Sequence, residues 1–136
     1  MLTDARGVPL AVAVDGANRH DIKLLRATLE SNQTPRPDDG TIENLCMDKG
    51  FDYPEVRELA EEFGFIAHIV TRGQEKEAKT RIPRYRARRW VVERTHSWIN
   101  RFRRLLVRWE KKKANYLAMI HIACAVIAFR AAGVLG

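Results

Sequence analysis

Glu93 lies in a run of cations, WVVERTHSWINRFRRLLVRWEKKK from Trp90 to Lys113, that carries eight Lys and Arg. At 100° per residue, Val91, Thr95, Trp98, Phe102, Leu105 and Trp109 fall on one helical stripe. Glu93 falls nearly opposite, with Arg86, Arg89, Asn100, Arg104 and Lys111. A carboxylate on such a face has two uses. It can pair with Arg89 one turn earlier, a surface contact worth a few tenths of a kcal/mol. Alternatively it can hold a metal ion that must reach a phosphate, while the cations grip the polyanion's backbone. The second use requires a carboxylate from another element.

Asp48 is the candidate. The segment TIENLCMDKGFD reads as a short apolar strand, Ile42 to Met47, with Asp48 at its carboxyl end and Lys49, Gly50 and a helix start after it. Ligand-binding groups collect at the carboxyl ends of strands in open α/β sheets, although an aspartate before a glycine is also an ordinary turn residue.

The elements that must position these groups alternate. Pro9 to Val14 reads as a strand, and Gly16 to His20 turns it into a helix of about Asp21 to Glu30 with Ile22, Leu25 and Leu29 on one face. Ser31 to Gly40 is a loop rich in proline and glycine. After the strand ending at Asp48, Asp52 and Glu55 form a D-x-x-E capping box for a helix that runs to Phe63 and stops at Gly64. Phe65 to Val70 reads as a buried parallel strand, and Gly73 to Tyr85 as a polar, basic connection. Two helices, about Arg86 to Lys112 and Asn115 to Ala132, complete the chain. Strands alternating with helices make this an α/β fold with a parallel sheet covered by helices, and the length suits a single domain over residues 1–136.

The formal charge of +7 hides a division. Residues 72–113 carry sixteen Lys and Arg against four Asp and Glu, a net +12, and the remainder carries eight against thirteen, a net −5. A basic block interleaved with Trp90, Trp98, Phe102 and Trp109 reads as a phosphate-tracking surface on a packed helix. Cys46 and Cys124 lack any C-x-x-C partner, which argues against a zinc site or a disulfide framework and for reduced thiols in a cytoplasmic protein. His20, His68, His96 and His121 have no ligand spacing. Met1 leads straight into polar residues, without a signal peptide. The apolar segment Tyr116 to Phe129 is fourteen residues long, short of the ~20 that span a bilayer, so no membrane association is expected.

Four words of the chain, LTDARGVPLAV, DGANRHD, LCMDKGFD and RRWVVERTHSWINRFRRLLVRWE, resemble in this order the DDE transposases of bacterial insertion sequences. The resemblance is to the branch whose ribonuclease H-like catalytic domain carries a D-K/R-G-Y/F-D element and a W-V-V-E-R helix. It implies that Asp48 is the second acidic residue of the catalytic triad and Glu93 the third, both metal ligands. Arg89 fits the arginine of the tyrosine, arginine, glutamate, lysine signature of related transposases. Tyr85 stands one residue farther from Arg89 than that signature asks. Asn100, with Arg101 beside it, replaces its lysine.

The family's first aspartate lies on a strand upstream of LTDARG. The resemblance therefore implies a ribonuclease H-like fold lacking its amino-terminal strand and part of the second, the carboxyl-terminal part of the catalytic domain. Asp15, at the end of PLAVAVD, does not replace that aspartate. In the strand order 3-2-1-4-5 it sits three strand spacings from Asp48, about 14 Å at roughly 4.8 Å each, whereas paired catalytic metals sit about 4 Å apart.

The implied function is DNA transposition with Mg²⁺ or Mn²⁺: cleavage at element ends, then attack of the freed 3′-hydroxyl on target DNA. Asp48 and Glu93 would lie within roughly 10 Å of each other to share a metal site. Arg89 and Arg94 would grip phosphates near the cut, and Arg101, Arg103, Arg104, Lys111, Lys112 and Lys113 would track the backbone farther away. The partners are DNA, as element ends and target, and a second copy or an upstream-frame product. Two other readings stand beside this one: a non-catalytic DNA-binding remnant of a transposase, and a basic interaction protein in which Glu93 is a surface ion pair. With two acidic residues in place, the chain alone is expected not to cleave donor DNA.

Overall fold

The computed structural model describes residues 1–16, 21–70 and 90–135. They fall into two compact units, one of Met1–Thr34 with Val91–Gly136 and the other of Pro35–Trp90. Each is described by itself. The expected connection Gly73 to Tyr85 and the residues Arg86 and Arg89 lie outside the described residues.

The first unit opens with a hairpin of β1 (Leu2–Thr3) and β2 (Pro9–Ala11), antiparallel with an irregular register. Asp4 builds its turn: Oδ1 accepts from the amides of Arg6 and Val8, each at 2.8 Å, and the Asp4 amide donates to the Val8 carbonyl at 2.9 Å. Gly7 supplies the positive φ of 86° that the turn requires. Of the expected strand Pro9 to Val14 only the first three residues pair. Val12 and Val14 pack instead against the core of Leu105, Ile120 and Ala123.

Helix α1 (Asp21–Glu30) has the expected bounds, and its face Leu25, Thr28 and Leu29 is buried. Thr28 Oγ1 donates to the Leu24 carbonyl at 2.8 Å, so its hydroxyl costs the interior little.

The second unit is a parallel β-α-β crossover. Strands β3 (Glu43–Met47) and β4 (Phe65–Ile69) pair from Glu43 with Phe65 to Met47 with Ile69, joined through α2 (Pro54–Glu62). One sheet face turns Leu45, Phe65 and Ile69 inward, and Val56 and Ala60 of α2 are almost fully buried. The other carries the exposed Ile42, Asn44, Cys46, Ile66 and His68. Arg36 ties the preceding loop to the end of α2: it donates to the carbonyls of Phe63 and Gly64, pairs with Glu43 at 2.9 Å and lies over the Phe65 ring.

The capping box is not formed. Tyr53 is the N-cap of α2 and makes no side-chain cap, and the Asp52 carboxylate pairs instead with Arg57 at 2.7 Å. Asp52 is one residue too early to reach the first-turn amides, and Pro54 has no amide to offer.

The expected helix Arg86 to Lys112 is broken. Helix α3 (Trp90–Ile99) ends before Asn100, and a four-residue α4 (Arg103–Leu106) follows. At the break the amides of Arg101 and Phe102 bond to the carbonyls of Trp98 and Ile99, three residues back, the tightened pattern of a fraying helix end. Phe102 then adopts extended dihedrals and packs with Ile99 on the core. Like charges one turn apart, as at Arg104 and Arg108, oppose continuation.

Helix α5 (Lys113–Ala131) is nineteen residues long, long and apolar enough by length and composition to cross a membrane. Ile120, Ala123 and Ile127 on one side are buried, and Ile122 and Phe129 are exposed. Among the described residues the strands form two separate two-stranded sheets, β1 with β2 and β3 with β4.

Candidate metal carboxylates and nucleic-acid interface

Asp48 follows the last residue of β3 and caps a single 3₁₀ turn, Lys49–Phe51. Its Oδ1 accepts from the Gly50 amide at 2.8 Å, and the side chain is exposed. Gly50 brings its amide close to that carboxylate, and a Cβ there would stand 3.0 Å from Asp48 Oδ1, a tight contact that the exposed side chain would have to relieve by shifting. The local sequence thus fixes Asp48 at the carboxyl end of a parallel strand.

Glu93 is exposed in the first turn of α3, where the helix dipole favours an anion. Asp48 belongs to the crossover unit and Glu93 to the hairpin unit. Both offer hard oxygen donors of the kind Mg²⁺ accepts, an ion bound through one or two carboxylates while it keeps several waters. Among the described residues there is no group of three or more His, Cys, Asp or Glu that could hold a metal ion.

The inward side of α3 secures its position. Thr95 is fully buried, and its Oγ1 donates to the Gly7 carbonyl at 2.6 Å, with the Val91 carbonyl 3.1 Å away. Arg94 Nη2 donates to the Arg6 carbonyl at 2.7 Å, and the guanidinium lies over the Trp98 ring at 5.2 Å. Arg94 therefore holds the hairpin turn to α3 as well as standing next to Glu93. His96 faces a cavity of about 280 Å³ lined also by Val12, Leu105 and Tyr116, and burial lowers its pKa from the ordinary histidine value.

Arg101, Arg103, Arg104, Lys111, Lys112 and Lys113 are all exposed on the hairpin unit. Two of them are paired: Arg104 Nε donates to Glu110 Oε1 at 2.8 Å, and Lys113 Nζ lies 3.4 Å from Asp15 Oδ1. Arg104 holds the Glu110 carboxyl below the usual carboxylate range. Asp15 thus has a cation of its own unit beside it. Arg89 lies outside the described residues.

Sequence periodicity missed Trp109. Placed on the buried stripe, it is 73% exposed, because α4 ends at Leu106 and Val107 turns to extended dihedrals, so the helical phase that keeps Leu105 in the core does not reach it. The local composition held the signal: Trp109 is flanked by Arg108, Glu110 and three lysines, a poor setting for a core residue.

The chain matches the family described as transposase DDE domain over residues 1–128. It is 31% identical over 138 residues to a Burkholderia cepacia protein named as a transposase for insertion sequence element IS402, a match covering 93% of this chain and 60% of that protein. The chain thus spans about 60% of the length of the curated relative it matches. No solved structure matches it. The match over residues 1–128, with a relative 31% identical along 93% of the chain, shows that this chain belongs to the transposase DDE domain family.

Proposed function

We propose that this chain serves DNA transposition, as the carboxyl-terminal part of a ribonuclease H-like catalytic domain. The observation that carries the reading is the family match over residues 1–128, which contains both carboxylates and the cationic surface. Asp48 and Glu93 are the residues that would hold a divalent metal, Mg²⁺ or Mn²⁺. The bound ions would activate the attacking oxygen and stabilise the leaving one. Asp48 presents its carboxylate from a turn stiffened by the Gly50 amide, and Glu93 from a helix anchored by Thr95 and Arg94. Arg89 and Arg94 would lie against phosphates near the reacting strand. Arg101, Arg103, Arg104, Lys111, Lys112 and Lys113 would hold the DNA backbone through charge, without reading base sequence.

The test is binding of duplex DNA over a range of salt. Each phosphate contact releases condensed counterions, so affinity should fall steeply as salt rises. Neutralising Arg101, Arg103 and Arg104 together should weaken binding and flatten that slope. Affinity independent of salt, or untouched by the triple substitution, places the DNA surface elsewhere.

A further inference from the structure

Trp109 is the most exposed large hydrophobic side chain among the described residues, at 73%. An exposed tryptophan alone means little, but this one lies in a pinned loop among cations. It sits between α4 and α5 in a loop pinned through its neighbour Glu110. The Glu110 carboxylate, 7% exposed, takes the Arg104 Nε, and its carbonyl accepts from Arg108 Nε at 3.3 Å. Arg108 in turn lies over the Tyr116 ring at 5.1 Å, fastening the loop to the start of α5. Arg104 remains 69% exposed despite its ion pair. Arg103, Arg104 and Trp109 together line an open, shallow surface depression of about 460 Å³.

Resting on the DNA-binding reading above, the geometry points to this depression as a subsite for an unstacked nucleobase of a DNA strand. The base stacks on the Trp109 indole, and Arg103 and Arg104 take the adjoining phosphates. Every base has a π-face, so an aromatic platform beside cations accepts single-stranded DNA without sequence preference. The pinned loop keeps the Trp109 backbone in place before the base arrives, which lowers the ordering cost of binding. An apolar protein partner suits the depression poorly, because covering it would strip water from Arg103 and Arg104 without giving them an anion. Duplex DNA, whose bases are stacked, offers the depression phosphates only.

The experiment compares three fluorescent probes on the full chain: an oligothymidylate, an oligomer of abasic deoxyribose phosphates of equal length, and a duplex. The wild-type chain should bind oligothymidylate more tightly than the abasic strand. Trp109→Ala should remove that preference, weakening oligothymidylate binding by about fivefold or more and leaving abasic and duplex binding unchanged. Trp109→Phe, which keeps an aromatic face, should restore most of the preference. Retention of the preference by Trp109→Ala, or an equal loss on all three probes, overturns the subsite while the DNA-binding reading stands. If the wild-type chain binds none of the probes, that underlying reading fails, and the subsite with it.

Discussion

At the scale of single residues, Thr95 and Gly7 show how an inconspicuous pair can hold a candidate catalytic helix. Gly7 has φ 86°, and a Cβ there would stand 3.1 Å from Thr95 Oγ1 and 3.3 Å from the Val91 carbonyl oxygen. The hairpin turn is therefore pressed against α3 with no room for a side chain. The Thr95 hydroxyl gives the Gly7 carbonyl its partner inside the fold. Thr95→Val keeps the volume and removes the donor, which leaves a buried carbonyl unpaired. Urea denaturation should show a loss of about 1–3 kcal/mol, and Thr95→Ser should recover much of it. Equal stability of Thr95→Val and wild type would mean that the hydrogen bond contributes nothing net. The sequence marked Thr95 as a stripe residue, but its meeting with Gly7 across 88 positions was not legible.

Elements divide into those written locally and those decided by packing. Helix α1 was legible almost to the residue. Strand β4 was legible in its bounds and parallel pairing, but not in its expected burial, because only Phe65 and Ile69 face the core while Ile66, His68 and Val70 are exposed. The long basic helix was not legible, because periodicity continues on paper through Asn100 to Phe102, whereas Phe102 gains more by turning toward Ile99 and Leu105. Burial also separates the two cysteines. Cys46 points outward from β3, and Cys124 is partly buried on α5 against the core, where desolvation raises its thiol pKa. Iodoacetamide reacts with the thiolate, so peptide mapping after brief labelling near neutral pH should find Cys46 modified well before Cys124. The reverse order would place Cys124 at an open surface.

On the whole-molecule scale, the proposed metal site draws Asp48 and Glu93 from segments far apart in the sequence. Two ligands from distant segments should bind a metal cooperatively with folding, and loss of either should remove most of the affinity. Titration with Mn²⁺, followed by electron paramagnetic resonance of the free ion, should show binding in the wild-type chain. Asp48→Asn and Glu93→Gln should each weaken it about tenfold or more, at least the roughly 10–100-fold that loss of a group merely supporting a metal ligand costs. Two independent, additive effects would mean that Asp48 and Glu93 do not share an ion.

The sequence by itself determined the chemistry on offer: Asp48 at a strand end, Glu93 on a helix among cations, and four words whose order resembles one family. Residue types and short-range spacing carry that information, and local backbone preferences are enough to realise it. Only the tertiary structure decided where the basic helix breaks, that Asp52 serves Arg57 rather than a helix cap, and that Arg94 holds the hairpin. It also placed Trp109 outside the core. Each of these depends on which distant group arrives to compete for a side chain, and periodicity along one segment does not contain that competitor.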